Sequence, residues 1–234
     1  MRTLKLLVLL ATAAALFSFR PGNSCDAYFP LKPGTKWEQT TYDAKDKMLS
    51  KVKGELLSVS DIPNGLEATM SVESFDSKEK SMNKGEMSMK CDGDKFYMDM
   101  SKLFQTGPIQ GMEGMDIKME MTNEYMDFPT HPVAGQTLPD VTSTMTMTMN
   151  GVAMMTTTIT MTNRKVEGFE SVTTPAGTFD CVKFSYNTES KSKMMDMKSS
   201  SMMWMCKNTG MVKMENYDDK GKLESKNILT AFSE

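Results

Sequence analysis

Histidine is almost missing from this sequence: the chain holds one, His131, between Thr130 and Pro132. That scarcity removes the commonest routes to catalysis. A serine or cysteine nucleophile needs a neighbouring base, and any such relay would rest on His131 alone, with no acid beside it in sequence to orient the ring. We read His131 as a surface-loop residue. No Cys-x-x-Cys or Cys/His cluster offers a zinc site. Gly-x-Ser-x-Gly, His-Glu-x-x-His, the P-loop and Gly-x-Gly-x-x-Gly are all absent. The expectation is a protein that is not an enzyme and holds no cofactor.

Positive charge is not in excess either. The 27 Lys and Arg stand against 30 Asp and Glu, a formal net charge of −3, which argues against a nucleic-acid partner. Both signs are interspersed, as in YDAKDKMLSKVKGE and YDDKGKLESK, the pattern of solvated faces. Asp92 with Asp94, and Asp218 with Asp219, fall in predicted turns and read as turn formers rather than acid/base partners. Neither stretch has the full ligand spacing of an EF-type calcium loop.

A long apolar run occurs once, at the start. Arg2 and Lys5 precede Leu6 to Phe17, LLVLLATAAALF, which has the length of a secretory h-region. It is shorter than the ~20 residues needed to cross a bilayer. Gly22 and Ser24 suit a cleavage site, so residues 1–24 read as a signal peptide and 25–234 as one mature domain without a transmembrane span. Export places the protein in the periplasm, the outer envelope or outside the cell. Cys25 would then open the mature chain. A lipid anchor there is the alternative to a disulfide, but the preceding Gly-Asn-Ser lacks the Leu-type residue of lipoprotein signals. Cys25, Cys91, Cys181 and Cys206 form an even set behind an export signal, which fits two disulfides with three possible connectivities.

What fills the chain is strand grammar. Segments at 37–42, 56–60, 66–75, 86–91, 95–100, 115–121 and 141–149 are separated by Asp/Gly/Asn/Lys turns. The pattern continues at 152–162, 165–173, 178–187, 198–206, 211–217 and 222–232. Such spacing predicts an all-β sandwich, barrel or curved sheet. Ser101 to Gly114 breaks the rhythm and reads as one short helix or a pair of turns. Residues 128–139, with three prolines, read as a loop crossing between halves of the sheet. The hairpins Tyr42–Lys51 and Tyr217–Lys226 share Tyr, Asp, Lys and Ser in register, which we attribute to common turn chemistry rather than duplication.

Methionine is the abundant residue, 27 in all, much of it in Met-x-Met pairs. On a strand, residues i and i+2 share a face. Met145, Met147 and Met149 therefore line one face of a strand, with Thr144, Thr146 and Thr148 on the other. Asn150-Gly151 is a strong two-residue hairpin signal. Pairing across that turn puts even positions of the returning strand on the thioether face, whereas Met155, Ile159 and Met161 are odd. A β-bulge near Met154-Met155 would restore one apolar face. Trp204 should point away from Met203 and Met205. Thioethers can select Cu(I) or Ag(I), but pairs on nearly every strand point instead to adaptable apolar filler.

Several segments together carry a likeness: Cys25-Asp-Ala-Tyr-Phe-Pro-Leu-Lys-Pro-Gly-Thr-Lys-Trp37, Val166-Glu-Gly, Val172-Thr-Thr-Pro-Ala-Gly-Thr-Phe-Asp-Cys181, and Trp204 followed by Gly210-Met-Val-Lys213. The chain resembles the TapB-like group, exported proteins of Bacteroidota-type bacteria that share a domain of unknown function. The resemblance spans nearly the whole mature chain. It implies a curved antiparallel half-barrel akin to lipoprotein-carrier folds, with cysteines shared at Cys25, Cys91 and Cys181 and Cys206 as a departure. Pro175-Ala-Gly-Thr-Phe179, its most specific element, is turn chemistry.

Three functions remain. The leading expectation is a binding or carrier module for a lipid-like ligand or apolar peptide, held by Met145, Met147, Met149, Met154, Met161, Met203 and Met205. The others are a structural or interaction protein of the envelope with a closed core, and a soft-metal protein. The cysteines are expected to pair as Cys25–Cys91 and Cys181–Cys206, the second closing a hairpin centred near Lys193-Met194.

Overall fold

A computed structural model describes residues 26–99, 117–122, 125–193 and 196–234. The expected signal peptide, Cys25 and the short helix expected over 101–114 lie outside the described residues. The strands begin with β1 (Lys36–Asp43), β2 (Met48–Ile62), β3 (Gly65–Asp76), β4 (Ser81–Asp92) and β5 (Lys95–Asp99). Two short ones follow, β6 (Ile117–Thr122) and β7 (Tyr125–Pro129). Then come β8 (Val141–Met149), β9 (Val152–Thr174), β10 (Gly177–Ser192), β11 (Asp196–Cys206), β12 (Gly210–Tyr217) and β13 (Leu223–Ser233). All 13 form one antiparallel, unclosed sheet in the order β6-β8-β9-β10-β11-β12-β13-β1-β2-β3-β4-β5-β7. The all-β expectation holds, and the described residues contain no helix.

The order has a geometric consequence. β6 and β7 sit at opposite ends of the sheet, yet two residues separate Thr122 from Tyr125. Successive Cα atoms are ~3.8 Å apart, so these strand ends lie within about 11 Å of each other. The sheet must curl until its outer strands nearly meet. The loop from Thr130 to Asp140 then crosses from β7 at one edge to β8 beside the other, as its prolines suggest, and bridges to β9 through Thr137 and Lys165. Tyr125–Pro129 was not foreseen as a strand because Pro129 and the crossing loop follow at once; Pro is tolerated there because β7 is an edge strand.

Closure is secured by packing between the two ends. Phe96 of β5, Phe128 of β7 and Phe184 of β10 form a column, with ring centroids 5.1 Å and 4.9 Å apart, and Tyr28 of the N-terminal segment stacks on Phe96 at 5.3 Å. All four are buried. Arg164 of β9, 2% exposed, lies over Phe128 with its guanidinium carbon 5.5 Å from the ring centre. Its Nη1 donates to Pro139 O at 2.7 Å and to Asp127 Oδ1 at 3.1 Å, and its Nη2 donates to Asp127 O. A charge buried this far needs such saturation.

β9 explains how a 23-residue strand can wrap a core. It is continuous where two segments, 152–162 and 165–173, had been expected, and three register shifts bend it. The first pairs Met147 with Met155 but Thr148 with Ala153, leaving Met154 over: the expected bulge. The second falls at Asn163, φ +52°, and shifts inward-facing positions from odd Met161 to even Arg164 and Val166. The third, at Glu167, shifts them again. Asn150 and Gly151, with φ of 49° and 76°, make the hairpin turn anticipated between β8 and β9.

Three other hairpins share one device. Asp43, Asp76 and Asp218 each accept two backbone N–H bonds on Oδ1, at 2.8–2.9 Å, from the lysines two and four residues on. These bonds hold all three carboxyls below their usual range. The middle case, Asp76-Ser-Lys-Glu-Lys80, extends the Asp-x-Lys-x-Lys pattern beyond the two hairpins that look alike in sequence, and so favours shared turn chemistry.

The cysteine expectations divide. Cys91 of β4 is buried and disulfide-bonded, and its partner lies outside the described residues. Cys181 and Cys206 stand directly opposite on β10 and β11, as the hairpin reading required, but both are free thiols and the expected bridge between them is not formed. Opposed Cβ atoms of a regular ladder stand ~4.5–5.5 Å apart, wider than the ~3.5–4.5 Å a disulfide favours. Each thiol donates to a backbone carbonyl instead, Cys181 Sγ to Phe179 O and Cys206 Sγ to Lys207 O, both at 3.5 Å.

Replacing Arg164 with Met should cost about 3 kcal/mol in urea unfolding, because Asp127 loses a buried partner; a cost near zero would show that the aromatic column closes the sheet unaided. Burial alone would raise the Asp127 carboxyl, but hydrogen bonds from Lys95 and Arg164 outweigh it and hold it below its usual value. Its contribution is therefore complete above about pH 4 and is lost as pH falls through the lowered folded value. Asp127→Asn should flatten the acid limb of stability against pH; an unchanged limb would place it on the turn carboxylates.

Candidate functional site

Among the described residues the curled sheet leaves an apolar space against β3 and β4. Period-two alternation aims Met70, Val72 and Ser74 of β3, and Gly85, Met87 and Met89 of β4, into a cavity of about 390 Å³. Register places Met70 beside Met87, Val72 beside Gly85, and Met89 beside Met98 of β5. Trp37 and Gln39 of β1 and Val52 of β2 continue the wall. The far side is built by Phe29 and Pro30, the turn residues Thr209 and Gly210, Met211 of β12 and Leu229 of β13.

Local chemistry holds these pieces in place. Gln39 Nε2 donates to Met211 O at 2.8 Å, tying β1 to β12 across β13. Asn208 N donates to Ala27 O at 2.9 Å, which docks the β11–β12 turn on the N-terminal segment. Gly54 of β2 lies under the Trp37 indole, where any Cβ would overlap the ring. Among the described residues no charged side chain lines the cavity; the polar groups there are Gln39, Ser74, Asn83 and Thr209. Five methionines contribute thioethers, and this softness suits an apolar guest of irregular outline. A second hollow of about 370 Å³, lined by Lys36, Glu38, Lys53, Glu55, Glu73 and Lys84, is charged and crossed by Lys36–Glu55 and Lys53–Glu38 ion pairs at 3.7 and 3.9 Å.

None of the seven methionines expected to bind ligand lines the apolar cavity. Met203 and Met205 are core, 2% and 0% exposed, and Met161 packs against that core. Met145, Met147 and Met149 are half-buried along β8, and Met154, the bulge residue, is 54% exposed. The alternation holds, but the longest Met/Thr run lies toward one end of the sheet order, where β8 pairs with the edge strand β6 and β9 comes next. Among the described residues the cavity is lined by Met70, Met98, Met211 and the Met87/Met89 pair, which period-two counting alone could not rank above the other pairs. Threonine does occupy the opposite side of that hairpin, with Thr144–Thr158 and Thr146–Thr156 Oγ1 pairs at 3.4 Å.

Trp204 turns away from Met203 and Met205, into a second cluster with Cys181, Val212 and Leu229. Its Nε1 donates to Glu170, and the ammonium groups of Lys183 and Lys213 lie 4.9 and 4.5 Å from its ring centre. His131 is 60% exposed, as a loop residue should be. The structure brings it an acid that sequence distance concealed: Asp26 Oδ2 stands 3.7 Å from Nε2, and Thr130 Oγ1 lies 3.0 Å from Nδ1. That spacing from Asp26 is too long for a hydrogen bond. Asp26 pairs instead with Lys207 at 2.6 Å, and Thr130 is fully buried. The trio fastens the N-terminal segment to the crossing loop and to the β11–β12 turn. Among the described residues no group of three or more His, Cys, Asp or Glu side chains is gathered.

An antiparallel sheet curled around an apolar, methionine-walled space defines the class of fold. The chain belongs to the DUF3108-like family, matched over residues 32–229. It is similar to the crystal structure of a candidate lipoprotein from Parabacteroides distasonis ATCC 8503, with a TM-score of 0.74 and 25% identity, covering 89% of this chain and 99% of that one. It is similar also to a candidate exported protein with YmcC-like fold from Bacteroides fragilis NCTC 9343, at a TM-score of 0.72 and 23% identity over 90% and 100% of the two chains. No curated protein matches the chain. These matches support the DUF3108-like family and do not reach the TapB-like naming expected from the sequence. The Pro175–Phe179 turn forms as expected, with Gly177 paired to Thr174 around Pro175 and Ala176. No helix among the described residues is long and apolar enough to cross a membrane.

Gly54→Ala should displace Trp37 toward the cavity, costing about 1–3 kcal/mol of stability and shifting tryptophan emission. Unchanged emission and stability would show that the indole does not rest on Gly54.

Proposed function

We propose that this is an exported, non-catalytic binding module that holds a lipid-like or otherwise elongated apolar ligand in the cavity between β1–β5 and the β11–β12 turn. One observation carries the reading: among the described residues, the cavity of about 390 Å³ is walled by thioether, aromatic and aliphatic groups with no charged side chain. Volumes of this order are ordinary for small-molecule sites, in which a few polar groups fix orientation. Gln39, Ser74 and Asn83 supply those here. Export is supported by the N-terminal apolar run and by the relatives, a candidate lipoprotein and a candidate exported protein. The narrower TapB-like affiliation is part of the same proposal. Flexible thioether walls would let one site accept chains of differing length.

Titration of the mature protein with 1-anilinonaphthalene-8-sulfonate, followed by displacement with palmitate, tests this. Saturable binding displaced by palmitate is expected. Met87→Phe, which fills the space, should weaken the dye by at least about tenfold, ~1.4 kcal/mol, while Met147→Ala leaves it unchanged. Absence of saturable binding by the wild-type protein would leave the cavity a packing defect and the protein a closed envelope component.

A further inference from the structure

Cys181 and Cys206 occupy a place of their own. They are directly opposed on β10 and β11, on the face away from the Met203/Met205 core. They differ in access: Cys181 is 2% exposed, whereas Cys206, last residue of β11, is half-buried at the mouth of the β11–β12 turn. They differ in electrostatics too. The neighbouring Cys181 thiol favours the Cys206 thiolate against the opposing effect of burial, and the Thr209 hydroxyl adds to it, bringing Cys206 down to about 7. The neighbouring Cys206, and then burial, push the Cys181 thiol upward.

This asymmetry separates an attacking sulfur from a resolving one. Closing the pair needs the Cβ atoms to approach by about 1 Å from ladder spacing. A register shift between Trp204 and Met205 interrupts the β12 side of β11 next to Cys206. A bridge formed against the ladder is strained, and strained bridges are the reducible ones. Cys91, fully buried and already disulfide-bonded, has no such access.

We propose that Cys181 and Cys206 form a thiol–disulfide exchange site, with half-buried Cys206 as the attacking sulfur, buried Cys181 as the resolving one, and a small-molecule disulfide as oxidant. The Cys206 thiolate attacks one sulfur of RS–SR; that S–S bond breaks and RS⁻ leaves, to be protonated by water. Cys181 gives its proton to solvent and attacks the Cys206 sulfur, the mixed disulfide breaks, and a second RS⁻ departs. Two protein thiols are oxidised by two electrons, and the disulfide is reduced to two RSH. Excess RSH runs the same steps backwards. The site stands whether or not the apolar cavity takes a ligand.

The test uses the mature protein, reduced in its native state with excess reduced glutathione and then exposed to oxidised glutathione, with thiol trapping and intact mass. The wild-type protein should lose two hydrogens, keep no adduct, and regain both thiols on return to reduced glutathione. Cys181→Ser should retain one glutathione, mapped to Cys206, and Cys206→Ser should retain none. A native pair that resists both reduction and oxidation overturns the proposal, as does an adduct on Cys181. Should either variant fail to fold, limiting iodoacetamide on the reduced wild-type protein decides: Cys206 should be alkylated at least about tenfold ahead of Cys181, and equal or reversed order overturns the assignment.

Discussion

The structure depends on what happens where the two ends of the sheet meet. A sheet of 13 strands that curls without closing leaves two edges and a core open along one side. Phe128 comes from the last strand at one edge and Phe184 from the fourth strand in from the other, and they touch at 4.9 Å only because the curl brings them together. Burying each ring contributes roughly 1.5–3 kcal/mol, and aromatic pairing about 0.5–1.5 more. Arg164 does something the rings cannot. Its guanidinium satisfies the carbonyls of Asp127 and Pro139, backbone groups of an edge strand and of the loop that crosses the seam. It thereby caps an edge that would otherwise offer its backbone to another chain.

This arrangement also decides where apolar space is left over. The aromatic column fills the middle of the curl, so the remaining room lies to one side, under β1–β4 and behind the docked N-terminal segment. Methionine walls that room because its unbranched chain adapts to irregular gaps. Leu56, Val166 and Val212, all fully buried, occupy the regular parts of the core, where branched side chains specify geometry.

Much of this was legible in the chain, and the limits are instructive. Alternation revealed the strands, Asn150-Gly151 its hairpin, and parity counting across that turn the bulge at Met154, because each depends on local spacing. The opposition of Cys181 and Cys206 followed from a hairpin of nearly symmetric arms. β7 was hidden because five residues ending in Pro129 carry no alternation to count. The methionines that line the cavity were not the ones singled out, for a physical reason: which stretch of a sheet faces a void depends on global curl, set by contacts such as Arg164 with Asp127 that lie 37 residues apart in sequence. The approach of Asp26 to His131 and Lys207 was hidden by the same kind of distance.

Position within the sheet bears finally on the order in which the protein can become whole. β13, last in the chain, is the seventh of the 13 strands across the sheet, pairing with β12 on one side and β1 on the other. Until it emerges from translation and any translocation, the β1–β5 and β8–β12 ladders have no strand to join β1 to β12. Hydrogen bonds such as Thr230 Oγ1 to Glu38 O span 192 residues and form only at that last step. Pairing of the two halves thus waits for β13. A chain emerging N-terminus first must keep the bare flank of β1 from straying until that strand arrives.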